Sequence, residues 1–302
     1  MKKKKFIALL TIILLFSTAI TFYLIHQHNK DRYYFEDSKF SYSEDRGSPE
    51  YDMILKGKNE SYDLYSVNFY SRNFLNYTTK IYGLLFIPNN AKDIPGLILL
   101  PGGSVKKENE AVLASKIAKL GYAVLTFDQR GIGQTGGYYL NAQEDYQIFS
   151  QGKEPIQHLS VYDALKAYDV LRKIKSIDKN NIGIAGESMG GRYAIITAAI
   201  DKRLKGAVII SSSGFHVKNE NLSYTPYLLS IDPDSYISKI SPNYIFMLHS
   251  YNDSVIPIND AQITFSLAKE PKKIYVVDNC AHGYCDSMYN ELKQDLKIMF
   301  GK

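Results

Sequence analysis

Gly186-Glu187-Ser188-Met189-Gly190 follows the apolar run Asn181-Ile182-Gly183-Ile184-Ala185 and precedes Gly191-Arg192-Tyr193-Ala194-Ile195-Ile196. The first run has the length and β-branched content of a buried strand, and the last reads as the start of a helix. A strand and a helix joined by Gly-x-Ser-x-Gly make a sharp turn, which lifts the serine hydroxyl clear of the sheet edge on a strained backbone. The flanking glycines are needed because a side chain there would collide with the neighbouring strand or helix. Ser188 is therefore the expected nucleophile.

The same alternation extends in both directions. Residues 64–70 and 79–87 read as paired strands, the second ending at Pro88-Asn89-Asn90. Strands follow at 96–100, 123–127, 182–185, 207–211, 244–248 and 273–277, with helices near 111–120, 161–174, 191–199, 261–267 and 291–300. Continuous Val/Ile/Leu strands alternating with helices imply a mostly parallel sheet buried on both faces. Chemistry in such a sheet gathers at the carboxyl ends of its strands.

A serine hydroxyl is a poor nucleophile at neutral pH, so it needs a base and a group that orients the base. Of the six histidines, His282 lies in a loop after the last strand and is followed by Gly283, which frees its ring to reach Ser188. His26 and His28 flank an apolar run, His158 precedes a helix, His216 is in a polar loop, and His249 ends a strand as a packing residue. The acid is expected in the turn after the preceding strand, at Asp253. There it can accept the ring N–H, fix the tautomer and stabilise the imidazolium. Asp232, Asp234, Asp260 and Asp278 are the competitors: the first two precede the strand, Asp260 suits an N-cap, and Asp278 is at or near a strand end. Leu99-Leu100-Pro101-Gly102-Gly103-Ser104 ends an early strand with two glycines. A backbone N–H from Gly103, or from Ser104, can then approach a substrate oxyanion, with the N–H of Met189 as second donor.

Lys2 to Lys5 precede an uncharged, mainly apolar stretch over residues 6–25. About twenty such residues suffice for a helix to cross the hydrocarbon layer, and the lysines hold the start of the chain in the cytoplasm. The segment reads as a retained signal anchor, with a cleaved signal peptide and a secreted product as the alternative. The catalytic domain is expected outside the cytoplasm, at the cell membrane. Residues 31–62 read as a stalk or irregular lead-in, and 63–302 as the catalytic domain. The formal charge of +5, less the four leading lysines, leaves about +1, so no basic stripe suggests a nucleic-acid partner.

The two cysteines, Cys280 and Cys285, flank His282. In an exported domain they read as either a small disulfide or two free thiols. The Cys280-Ala281-His282-Gly283-Tyr284-Cys285 cluster offers three metal ligands but lacks a fourth and a usual spacing. Neither a metal nor another cofactor is expected.

The order Ser188, Asp253, His282, the glycine pair after an early strand, and Phe127-Asp128-Gln129-Arg130-Gly131-Ile132-Gly133-Gln134-Thr135-Gly136 together resemble the α/β-hydrolase superfamily over roughly residues 63–300. Val161-Tyr162-Asp163-Ala164-Leu165 ahead of Asn181 to Gly186 is similar to its esterase, dienelactone-hydrolase and prolyl-oligopeptidase-like branches. The resemblance implies a mostly parallel central sheet flanked by helices. It also implies that the Asp-x-Arg-Gly-x-Gly segment is structural. Where the family usually has His-Gly at the oxyanion strand, Pro101-Gly102 stands here and keeps the backbone donor. Met189 after the serine resembles the Gly-x-Ser-Met-Gly-Gly form of esterases and monoacylglycerol-lipase-like enzymes.

The expected activity is serine-dependent cleavage of small carboxylic esters through an acyl-enzyme. The alternative is a serine peptidase of prolyl-oligopeptidase-like or aminopeptidase type acting on short peptides. A membrane-tethered binding protein without turnover is disfavoured by the complete triad. A short lid over 214–243, holding a loop and one helix, leaves Phe215, Tyr224 and Tyr227 as candidate pocket residues.

Overall fold

The computed structural model describes residues 31–301 except 219 and 221. The anchor or signal segment expected at 1–30 lies outside the described residues. Among those described, no helix is long and apolar enough to cross a membrane.

Nine strands form one sheet in the order β11-β10-β9-β8-β6-β7-β5-β4-β3. Its parallel part comprises β6 (Ile94–Leu100), β7 (Ala123–Phe127), β8 (Ile177–Glu187), β9 (Gly206–Ile210), β10 (Tyr244–Ser250) and β11 (Lys272–Val277). The antiparallel part adds β3 (Tyr51–Lys58), β4 (Tyr62–Phe74) and β5 (Tyr77–Pro88). The central strands β7 and β9 are buried at every position. Such two-sided burial is why they read as continuous apolar runs rather than alternating ones.

Helices α1 (Ala111–Lys119) and α7 (Tyr289–Phe300) pack on one face, where Leu113, Ile117, Leu292 and Leu296 join a buried cluster with Leu97, Val124 and Leu248. On the other face, α3 (Ile156–Leu171) and α4 (Met189–Ile200) bring Leu165, Tyr168 and Ile195 against Ile98, Leu125 and Ile184. Helix α2 (Ala142–Ser150) precedes α3, and its Asn141 and Glu144 make a reciprocal capping box. Helix α5 (Thr225–Ile231) and two 3-10 turns, Pro233–Ser235 and Ile237–Lys239, occupy the short segment between β9 and β10. Helix α6 (Ile258–Leu267) links β10 to β11.

Residues 31–62 are not a stalk or an irregular lead-in. They form the hairpin β1 (Tyr33–Glu36) and β2 (Lys39–Tyr42), then β3 at the edge of the main sheet. The hairpin is held by burial rather than by length. Phe40 stacks on His158 with ring centroids 3.8 Å apart, and Tyr236 Oη accepts the Phe40 N–H at 2.9 Å. His158 itself bonds Tyr33 Oη and Ser230 Oγ, and burial pushes its pKa well down, so the ring is neutral. Further on, buried Arg46 pairs with Asp169 at 2.9 Å and Asp201 at 2.8 Å. These contacts fasten the segment to α3 and to the end of α4, so it packs against the main body of the fold.

Candidate active site

Ser188 sits between β8 and α4 with φ 50° and ψ −116°, a conformation that costs on the order of 1–3 kcal/mol and persists because its surroundings enforce it. Its N–H donates to Ile210 O at 2.9 Å and its carbonyl accepts from Ser212 Oγ at 2.7 Å. A Cβ on Gly190 would collide with the carbonyl oxygens of Leu100 and Pro101. That glycine is thus what lets the elbow lie against the end of β6.

The turn after β6 meets the elbow from the other side. A side chain built at Gly102 would lie 3.6 Å from Cβ of Ser188, and one at Gly103 would lie 3.7 Å from Sδ of Met189. Gln129 Nε2 donates to Pro101 O at 2.7 Å, while Asp128 holds Lys107 and the Gln134 N–H. Arg130 makes two bonds of 2.7 Å to Asp163 on α3. The Asp128 to Gly136 segment is therefore a brace behind the glycine turn.

His282 Nδ1 lies 2.9 Å from Asp253 Oδ2 and 3.0 Å from Oδ1. Asp253 is 5% exposed, and its Oδ1 also accepts the N–H groups of Val255 and Ile256, each at 2.9 Å. Burial pulls this carboxyl upward, but the Ile256 N–H, His282 and the Val255 N–H outweigh it and hold the pKa below the usual carboxylate value. An ionised carboxylate only accepts, so the ring proton sits on Nδ1 and Nε2 is left as an acceptor.

The His282 loop is tied down from several strand ends. Ser211 Oγ donates to Gly283 O at 3.3 Å, Ser250 Oγ donates to Cys280 O, and Glu187 accepts the Tyr284 N–H at 3.3 Å. Cys280 and Cys285 are joined by a disulfide, with Cα atoms 6.1 Å apart. Closing so small a ring contributes about 2 kcal/mol, below the roughly 5–15 kcal/mol net stability of a domain. Reduction is therefore expected to leave the domain folded but free the loop, lowering kcat severalfold. Intact mass with and without reductant, beside an activity assay, checks both halves.

Two of the competing acids are engaged elsewhere. Asp232 accepts the N–H groups of Phe215 and Val217, and Asp234 bonds His216 at 2.6 Å. Asp260 is in the first turn of α6, and the Asp278 side chain is exposed. His249 is buried, and its Nε2–H donates to Ile256 O at 2.9 Å.

Ser188, His282, Gly102 and Gly103 line one cleft of about 470 Å³, with Val105, Leu113, Glu110, Glu187 and Tyr284 completing its walls. The expected pocket of Phe215, Tyr224 and Tyr227 is not brought together there. Phe215 lies under the Arg192 guanidinium at 4.1 Å. Tyr227 is 1% exposed, its hydroxyl donating to Asp145 and accepting from Gln157. Tyr224 and Tyr227 flank a separate groove with Tyr146 and Leu228. Burial inside the α2–α3–α5 layer, rather than exposure to substrate, explains Tyr227.

Residues 81–293 match the profile of the dienelactone hydrolase family. The chain belongs to that family. Among its curated relatives are the uncharacterized protein YfhR of Escherichia coli O157:H7, 29% identical over 56% of this chain and 56% of that protein. The 2,6-dihydropseudooxynicotine hydrolase of Paenarthrobacter nicotinovorans is 30% identical over 51% of this chain and 37% of that protein. The chain thus spans about half the length, or less, of these relatives. Solved structures of similar shape include the acetyl xylan esterase from Paenibacillus sp. R4, with a TM-score of 0.70, 17% identity and coverage of 90% of this chain and 98% of that one. A glucuronoyl esterase from Solibacter usitatus aligns with a TM-score of 0.65, 14% identity and coverage of 90% of each chain. At those identities the likeness shows the α/β-hydrolase fold alone. Membership of the dienelactone hydrolase family makes the chain a hydrolase.

Glu187, Glu110 and Tyr139 are among the residues of the site that the sequence did not single out. Glu187 fills the variable position of the serine motif, and Glu110 looks like any polar residue ahead of a helix. Tyr139 lies in the loop after β7, and its hydroxyl is 3.9 Å from Met189 Sδ. Glu110 and Glu187 line the same cleft from 77 positions apart, and no spacing rule brings two such residues together.

Proposed function

We propose that this member of the dienelactone hydrolase family is a carboxylic ester hydrolase working through an acyl-enzyme on Ser188. Nε2 of His282 takes the serine proton and returns it to the leaving alcohol, then activates water for deacylation. Asp253 fixes the tautomer and balances the imidazolium. The N–H groups of Gly103 and Met189 stabilise the oxyanion. The observation that carries this reading is the 2.9 Å contact of Asp253 with His282 Nδ1, in a cleft that also holds Ser188 on its elbow. The esterase names of the acetyl xylan and glucuronoyl neighbours support an ester over a peptide as substrate. The modest cleft suits a small acyl group.

Turnover of a chain-length series of p-nitrophenyl esters, set against aminoacyl anilides, tests the reading. Faster cleavage of the short esters is expected, and faster cleavage of the anilides would make the chain a peptidase.

On the same reading the domain works outside the cytoplasm, tethered or released. The Lys2 to Lys5 start, the apolar run after it, and a disulfide suited to an oxidising compartment support this. Protease added to intact cells is expected to remove the domain, and full protection would place it in the cytoplasm.

A further inference from the structure

Glu187 is turned beneath the His282 loop. Its Oε2 accepts the Tyr284 N–H at 3.3 Å, and a Cβ built on Gly283 would stand 3.1 Å from that oxygen. Gly283 has φ +96°, so a side chain there would be strained as well as crowded. Glu110, directly ahead of α1, is 4% exposed and lines the same cleft. Among the described residues no donor reaches its carboxyl group, and its electrostatic neighbour is Glu187.

Two carboxyl groups in one cleft, Glu110 buried and Glu187 half-buried, do not both ionise easily. Burial, and then the charge of Glu187, push Glu110 up to about 8. Burial raises Glu187 too, but the Tyr284 N–H and the attraction of His282 pull it back. Of the two, Glu110 therefore holds its proton more tightly, and the Glu187 side ionises first. The other charged groups nearby are already engaged. Lys107 is held by Asp128 at 2.7 Å and Glu108 at 2.8 Å. Lys116 pairs with Asp286 and lies over the Tyr284 ring. Asp253 faces Nδ1 of His282, and the Tyr284 phenol, pushed up to about 12 by burial, is neutral.

We propose that Glu187 is a positioning residue for His282, docking its loop through the Tyr284 N–H and setting a carboxylate close to the imidazolium that forms in catalysis. The inference rests on the reading of Ser188 as nucleophile and His282 as base. Its consequence is a two-sided pH response. The Glu187 charge favours the protonated imidazole, so it sets where activity appears as pH rises. Ionisation of Glu110 adds a second negative charge to the cleft that holds Ser188 and is expected to slow the reaction.

The test follows the rate of Ser188 modification by a fluorophosphonate, and kcat/KM for p-nitrophenyl acetate, from about pH 5 to about pH 10. Glu187→Gln keeps an acceptor for the Tyr284 N–H but removes the charge. Its acidic limb is expected to move to lower pH by about half a unit or more, with kcat reduced about tenfold. In Glu110→Gln the acidic limb should hold, and the loss of rate above about pH 8 should disappear. Unmoved limbs in both variants, with native circular dichroism, overturn the inference. If Glu187→Gln does not fold, the alkaline limb of Glu110→Gln decides alone. A wild-type chain that the fluorophosphonate does not label at Ser188 overturns the nucleophile reading and this inference with it, a result distinct from labelling with unmoved limbs.

Discussion

Ser188→Ala is expected to remove turnover, by about 10⁶-fold in kcat where the triad acts as a unit, while the domain stays folded. The elbow is held through atoms that alanine keeps. Ser188 N–H donates to Ile210 O, and Ser188 O accepts from Ser212 Oγ and from the Arg192 N–H. Alanine also keeps the Cβ, so the backbone at φ 50° gains no new strain. What disappears is the Oγ to which the proposed mechanism assigns the attack on the carbonyl, and which a fluorophosphonate would then modify. Hydrolysis of a p-nitrophenyl ester and labelling should vanish together, with unchanged circular dichroism. Activity above roughly a hundredth of wild type would mean that another group forms the covalent bond.

The parts of the molecule legible in the sequence are those fixed by local chemistry. The Gly-x-Ser-x-Gly turn must have glycine at 190, because the Leu100 and Pro101 carbonyls occupy the space a Cβ would need. The run 123–127 is apolar at every position but Thr126 because β7 is buried on both faces, so its bounds coincide with the observed strand. The hairpin 33–42 was hidden because its stabilisation is tertiary. Phe40 is fixed by His158 and Tyr236, each more than a hundred residues away, and four-residue strands give no periodicity to read. The tyrosines of the lid segment misled for a related reason. A tyrosine serves equally as a pocket wall or as a buried ring with a satisfied hydroxyl, and Tyr227 turned out to be the second. Glu110 was illegible because a carboxylate ahead of a helix ordinarily caps it in water, whereas here the side chain makes no cap bond and is buried in the cleft wall.

Asp253→Asn is the second large effect expected, a loss of about 10⁴-fold in kcat with KM little changed. The asparagine fits the same space, so the loss comes from which atom faces the ring. Oδ1 of Asp253 is claimed by two backbone donors, the Val255 and Ile256 N–H groups at 2.9 Å each. Asparagine must keep its carbonyl oxygen there, which turns its NH₂ toward Nδ1 of His282. A donor facing Nδ1 requires that nitrogen to accept, and the ring proton moves to Nε2. Nε2 then has no lone pair to take the Ser188 proton, and the charge that balanced the imidazolium is gone as well. Asp278→Asn is the control: its side chain is exposed and the Asn252 amide bonds its carbonyl oxygen instead, so activity should stay within about twofold. If Asp278→Asn proved the more damaging change, His282 would be oriented by a different carboxylate from the one its Nδ1 contacts at 2.9 Å.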